Sequence, residues 1–248
     1  MELRAEHISK KFFRRTDSAN YFYTLRETDF TLPEKAVTMV MGRSGSGKTT
    51  LLNILGGLLR PSEGRVLLDG KDLYAYGDGE LSRLRNRYFS VIPQGSSGIY
   101  SLNVLDNILL PTLLYHHRDR ETVRRAEELM ERLDIASLRY AMPAELSGGE
   151  MRRMAIARAL VTKPAFVLAD EPTGDLDDEN TETVLRLLRE TAEEGASVLL
   201  VTHETEAVNY AKEVYRMNGG TLKKTADRRD PAGNAEETAE KLGKANFF

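Results

Sequence analysis

The chain has 248 residues, 41% apolar and 29% charged, with a formal net charge of −3. That is long enough to bury a full core as one large domain or as a core with a subdomain, and the charge balance carries none of the basic footprint of a nucleic-acid-binding surface. The absence of cysteine excludes disulfides, thiol catalysis and Cys-ligated zinc.

Met1-Glu2-Leu3-Arg4 opens without the apolar stretch of a secretory signal, so none is expected. A run of about 18 apolar residues is the minimum for a membrane-spanning helix, and the sequence has none. If the protein works at a membrane, another chain is expected to supply the spanning part.

In chain order, Ala36-Val37-Thr38-Met39-Val40-Met41 is a short apolar run ending at Gly42, the pattern of a buried strand feeding a glycine-rich turn. Good helix formers follow from Thr49 to Leu59, before Pro61. Arg65 to Leu68 with Asp69-Gly70 predicts an outer strand and turn. Between about 95 and 163 the patterns are helical. The clearest is Glu121 to Leu133, where Val123, Ala126, Leu129, Met130 and Leu133 recur at helical spacing. Apolar runs return at Ala165–Ala169, before two acids, and at Ser197–Thr202, before His203. Three buried-type strands separated by helical stretches predict α/β layering with parallel strands and an inserted helical subdomain. From Ala226 onward the chain is polar and is expected to be a poorly ordered tail, with Phe247-Phe248 at its end.

Gly42-Arg43-Ser44-Gly45-Ser46-Gly47-Lys48-Thr49 matches G-x-x-x-x-G-K-[ST]. Glycines at these positions let successive backbone N–H groups turn inward around phosphate oxygens, and the following helix adds its positive end. Lys48 would reach the β- and γ-phosphates, and Thr49 would offer a hydroxyl to Mg²⁺. A glycine-rich surface turn would carry similar letters, but the strand before and the helix after favour the phosphate cradle. Asp170 and Glu171 end an apolar run; alone they would read as an acidic turn before Pro172. With the upstream loop they read as a Mg²⁺ carboxylate and a base that orients the attacking water. Leu146-Ser147-Gly148-Gly149-Glu150 opens the next helix, with Ser147 and Glu150 spaced as a capping box. Such a start is also an anion site.

Together these segments resemble the ABC ATPase family. Gly42 to Thr49 looks like its Walker A loop, Phe166 to Glu171 like Walker B, and Leu146 to Glu150 like its signature. Gln94 sits like the Q-loop glutamine, Gly174-Asp175-Leu176-Asp177 like the D-loop, and His203 like the switch histidine. The order and rough spacing match over about residues 3–223.

The resemblance implies a P-loop NTPase core with a parallel sheet, an antiparallel β subdomain and an inserted α-helical subdomain. It implies one ATP-binding domain over 1–225, with the core at 1–94 and 164–225 and the helical part near 95–163. It further implies an ATPase using Mg²⁺ and working as a homodimer on a separate membrane permease, at the cytoplasmic face of the cell membrane. Gly42, Ser44, Gly45, Ser46, Gly47, Lys48, Thr49 and Thr50 would hold ATP, joined by Ser147, Gly148, Gly149 and Asp177 across the dimer. Glu171, His203 and Gln94 would be catalytic, and Thr49, Gln94 and Asp170 would hold the metal. Phe12 falls where an aromatic stacks on adenine, with Phe13 as a competing candidate and core packing open for either.

Leu51 to Leu58, Asn107 to Pro111 and Glu171 to Asp177 resemble the lipoprotein-release, macrolide-export and cell-division branch, which suggests export or mechanotransmission. Arg43, Glu150 and the stretch Pro93 to Tyr100 depart from common patterns. The last of these is the surface expected to receive the permease. A soluble ATPase for cofactor assembly would share every motif. An ATP-triggered scaffold that barely hydrolyses is disfavoured by the presence of both Glu171 and His203. DNA-repair members are set aside because no long heptad insertion separates the two halves.

Overall fold

The computed structural model describes residues 1–13, 21–95, 97–115 and 119–227; the expected tail from 228 onward, with Phe247 and Phe248, lies outside the described residues. The described elements are β1 (Leu3–Phe13), β2 (Tyr21–Leu32), β3 (Val37–Met41), α1 (Lys48–Leu55), β4 (Glu63–Leu68), β5 (Lys71–Asp72), α2 (Asp78–Tyr88) and β6 (Phe89–Ile92). There follow α3 (Val104–Tyr115), α4 (Arg120–Arg132), α5 (Gly148–Leu160), β7 (Phe166–Asp170), α6 (Asp178–Glu193), β8 (Ser197–Thr202), β9 (Glu213–Asn218) and β10 (Thr221–Asp227).

Two sheets form. One is four-stranded in the order β2-β1-β4-β5 and antiparallel throughout; the other is six-stranded in the order β10-β9-β3-β8-β7-β6. In the second sheet every pairing is parallel except β10 with β9. Its central strands are buried on both faces, which is why they read as unbroken apolar runs. Alternate side chains feed two cores. Val37, Met39, Val167, Ala169, Val198 and Leu200 pack with residues of α3, α4, α5 and α6. Val40, Phe166, Leu168, Leu199 and Val201 pack with α1 and the four-stranded sheet. The molecule is thus layered, with helices on one face of the parallel sheet and α1 plus the antiparallel sheet on the other. Among the described residues no helix is long and apolar enough to cross a membrane.

Two expected boundaries move. The helix after the glycine-rich loop stops at Leu55 rather than Leu59, because Gly57 adopts φ 68° and the N–H of Leu58 turns back to Asn53 O at 2.9 Å. The chain also stays in the sheet through Asp227, because Ala226 and Asp227 still pair with Val214 and Glu213.

β1 is bulged where it meets β4, with a register shift between Glu6 and Ser9, and Gly64 closes against the bulge at φ 81°. A Cβ at Gly64 would meet His7 O at 2.3 Å and Glu6 O at 2.4 Å. Gly64→Ala is therefore expected to destabilise the protein by about 2 kcal/mol or more, read as a lower midpoint in denaturant unfolding.

Candidate functional site: a phosphate cradle at the carboxyl ends of four parallel strands

The registers align the strand ends. Met41 pairs with Thr202, Asp170 with Val201 and Ile92 with Ala169. The turns that follow therefore leave from one edge of the sheet, the usual place for ligands in open α/β sheets. They enclose a cavity of ≈ 590 Å³ lined by Thr24, Arg43, Ser44, Gly45, Ser46, Gly47, Lys48, Thr49, Thr50, Gln94, Asp170, Glu171 and His203.

The loop after β3 is shaped by two glycines in left-handed conformation, Gly45 at φ 74° and Gly47 at φ 110°. A Cβ on Gly47 would lie 2.1 Å from Thr24 O, so the loop is pressed against β2. Lys48 is buried, and its ammonium donates to Gly42 O at 2.7 Å and to Arg43 O at 3.2 Å. The Thr49 hydroxyl donates to Asp170 Oδ2 at 2.6 Å. Ser46 Oγ is buried without a hydrogen-bond partner, close against Gly42.

Opposite the loop stands Glu171, 9% exposed and at φ 48°. Its Oε2 lies 3.0 Å from His203 Nδ1 and accepts from the His203 N–H at 3.4 Å, while its Oε1 is 3.9 Å from Lys48 Nζ. The buried carboxylate thus sits between a buried ammonium and an exposed imidazole. Burial pushes the pKa of neighbouring Asp170 above the usual aspartate value; the Thr49 hydrogen bond, Lys48 and Arg152 pull against that and Glu171 adds to it. Hydroxyl, carboxylate and exposed Gln94 amide converge as oxygen donors that suit Mg²⁺. An orphaned serine hydroxyl, a buried ammonium and Cβ-free glycines suit phosphate. The donor chemistry fits a Mg²⁺–nucleotide.

Not every expected residue meets in this cavity. Gly42 contributes its carbonyl to Lys48. Ser147, Gly148, Gly149 and Asp177 do not line the cavity. Ser147 instead caps α5 in a capping box: its Oγ accepts from the Glu150 N–H at 3.3 Å, and its own N–H donates to Glu150 Oε2 at 2.7 Å. Those bonds from Ser147 hold the Glu150 carboxyl below its usual pKa. Asp177 caps α6 through the Asn180 N–H at 2.8 Å, which lowers its pKa likewise, and Asn180 in turn accepts from Arg153 of α5.

Phe12 also lies off the cavity wall. It pairs with Phe22 across the β1–β2 ribbon, ring centroids 6.2 Å apart, and Phe22 is two residues from the cavity residue Thr24, which falls at a register shift of the ribbon. Phe13 pairs with Tyr21 on the opposite face.

Sequence reading missed Thr24, which no local signal marks. It took Arg43 only as a departure, although Arg43 lines the cavity. It also missed buried Thr173, whose hydroxyl donates to Glu204 Oε2 at 2.6 Å and ties the turn after Glu171 to the residue after His203.

The fold and the site define the class, a nucleotide-binding α/β protein with a phosphate-binding loop. The family profile described as ABC transporter matches residues 25–174, and the chain belongs to that family. An uncharacterized ABC transporter ATP-binding protein of Thermotoga maritima is 39% identical over 198 residues, 80% of this chain and 85% of the relative. The lipoprotein-releasing system ATP-binding protein LolD of Aquifex aeolicus is 38% identical over 220 residues, 89% of this chain and 95% of the relative. The ATP-binding cassette MJ0796, solved as a dimer in a post-hydrolysis state bound to ADP and Pi, superposes with a TM-score of 0.82 at 30% identity, covering 90% of this chain and 98% of that one. The chain is therefore an ABC transporter ATP-binding subunit of the LolD-like branch.

Gly47→Ala is expected to weaken binding of a fluorescent ATP analogue at least about tenfold, a loss of roughly 1.4 kcal/mol, because the cradle must part from Thr24. Because Asp170 holds its proton more tightly folded than unfolded, its contribution to stability falls as pH rises from the ordinary aspartate range through its raised pKa. Asp170→Asn removes that penalty. It should raise the thermal midpoint of the metal- and nucleotide-free protein at neutral pH, with the gain shrinking as pH falls through the raised pKa and gone once pH is below the ordinary aspartate range.

Proposed function

We propose that this chain hydrolyses ATP, as its family does, and drives a separate membrane permease of the export or mechanotransmission type. One observation carries the reading: a buried carboxylate, Glu171, stands at the mouth of a phosphate cradle within reach of both Lys48 and His203.

In this reading the backbone of Gly42 to Thr50 and the Lys48 ammonium hold the ATP phosphates. Lys48 leaves the carbonyls of Gly42 and Arg43 for phosphate oxygens, exchanging neutral partners for charged ones. Thr49, Asp170 and Gln94 are the residues that would hold Mg²⁺, which would supply charge neutralisation to the phosphates. Glu171 Oε2 takes the proton of the attacking water, and His203 orients that water and the terminal phosphate. Burial of Glu171 keeps the carboxylate out of bulk solvent. Adenine stacks on Phe12, whose partner Phe22 lies two residues from Thr24; Phe13 is on the opposite face of the ribbon.

Ser147, Gly148, Gly149 and Asp177 remain outside the cavity because they serve the site of a second copy. The capped starts of α5 and α6 present them to the partner's ATP, so two identical chains complete two sites. The dimeric cassette to which this chain is similar supports that arrangement. The permease docks beside the Gln94 loop, where Ile99, Tyr100, Tyr140 and Met142 are exposed around the start of α3. The N–H groups of Val104 and Leu105 bond to Ala141 O and Arg139 O, bringing these apolar side chains to one surface. That partner places the protein at the cytoplasmic face of the cell membrane, with no nucleic acid involved.

Glu171→Gln is the decisive variant. Sedimentation should show monomer without nucleotide and dimer with Mg-ATP, while turnover drops ~10²–10⁴-fold. A persistent monomer that still binds ATP would sink the homodimer.

A further inference from the structure

Helix α5 carries two arginines whose guanidinium groups are spent on backbone carbonyls. Arg152 is 2% exposed. Its Nη1 donates to Pro93 O at 2.6 Å and Gly95 O at 2.8 Å, and its Nη2 donates to Glu171 O at 2.8 Å. Arg158, further along the same helix, donates to Ser97 O at 2.8 Å. Alternate carbonyls of the stretch 93–97 are thus held by one helix, and Gln94 lies between the two that Arg152 holds.

The third carbonyl belongs to Glu171 itself. At φ 48° Glu171 occupies a backbone region that a side chain with a Cβ rarely adopts. Three bonds keep it there: its N–H donates to Val201 O at 2.8 Å, and its carbonyl accepts from Arg152 at 2.8 Å and from the Gly174 N–H at 3.3 Å. That twist turns the carboxylate away from the run of β7 toward Lys48 and His203. Burying a guanidinium costs free energy that an apolar side chain of the same size would not. Packing alone therefore does not account for Arg152. What its fork does, and a methionine would not, is fasten two separate loops to each other.

We infer that Arg152 is a positioning residue for ATP hydrolysis, clamping the Glu171 peptide against the Gln94 loop so that base and amide are set relative to one another. The inference rests on the reading of Glu171 as the base and goes beyond it. Arg152 does not line the cavity, so its loss falls on turnover and not on nucleotide affinity. Because its helix begins at the segment read as facing the second copy, a shift of α5 moves both loops together.

The test uses the full chain with Arg152→Met, which keeps the volume and loses every donor, and Arg152→Lys, which keeps the charge and loses the fork. Turnover is measured per molecule competent to bind a fluorescent ATP analogue, so misfolded protein drops out. The expected result for Arg152→Met is a fall in kcat of at least about tenfold with analogue affinity and KM within about twofold of the parent. Arg152→Lys should fall between the two. In the Glu171→Gln background, Arg152→Lys should leave Mg-ATP-dependent dimerisation at the parent's nucleotide concentration, since the clamp serves hydrolysis and not the ATP sandwich.

Parental kcat in the folded fraction overturns the inference. So does a rise in KM that accounts for the loss, or failure of the double variant to dimerise. If Arg152→Met does not fold, Arg152→Lys decides by the same criteria. Glu171→Gln with parental turnover overturns the underlying reading and the inference with it. Glu171→Gln inactive beside fully active Arg152 variants overturns the inference alone.

Discussion

The register of four parallel strands is the constraint on which the rest of this molecule depends. β3, β8, β7 and β6 are aligned so that Gly42, His203, Glu171 and Pro93 each follow a strand end at one edge. A slip of one residue moves a strand by about 3.3 Å and turns its side chains to the other face. Such a slip in β7 would carry Asp170 away from the Thr49 hydroxyl and exchange Val167 and Ala169 with Phe166 and Leu168 between the two cores. Packing on both faces enforces the register, so the same apolar contacts that stabilise the sheet also set the geometry of the polar edge.

That edge stores cost as well as function. Lys48 and Asp170 are buried, Glu171 takes a left-handed backbone, and the Ser46 hydroxyl has no partner. These are costs that the nucleotide-binding role of the family accounts for at Lys48 and Asp170. Elsewhere the chain follows ordinary rules. α4 begins at an Asp119 cap that accepts from the Thr122 N–H at 2.7 Å, and the single hydroxyl proton of Tyr74, buried in the second core, is shared between Ile54 O and Leu59 O, each 2.6 Å away.

Much of this was legible in the residues. Apolar runs at 36–41, 165–169 and 197–202 marked the central strands because those strands are covered on both sides and need no alternation. The capping box at Ser147 and Glu150 was legible because it is a contact three residues long. β1 and β2 were not, since their bulges break the period of two, and their burial depends on partners tens of residues away. α3 was obscured by Pro111, which sits inside the helix. Within the site, residues placed by one continuous loop were readable. Thr24 and Arg152 were not, because each reaches its position through tertiary packing, Thr24 from a neighbouring strand and Arg152 from a helix that looks like plain core.

Helix α5 itself has a mechanical consequence. From Met151 to Leu160 nearly every side chain is buried, while its capped first turn at Ser147 and Gly148 is exposed. A close-packed interior compresses little, so a helix sheathed in core has no room to bend or rotate within its seat. A load applied at the exposed tip therefore travels along the axis as a displacement of the whole rod. The compliance of the assembly lies in the loops at its flanks, and the helix behaves as a push-rod whose bearing is the hydrophobic core.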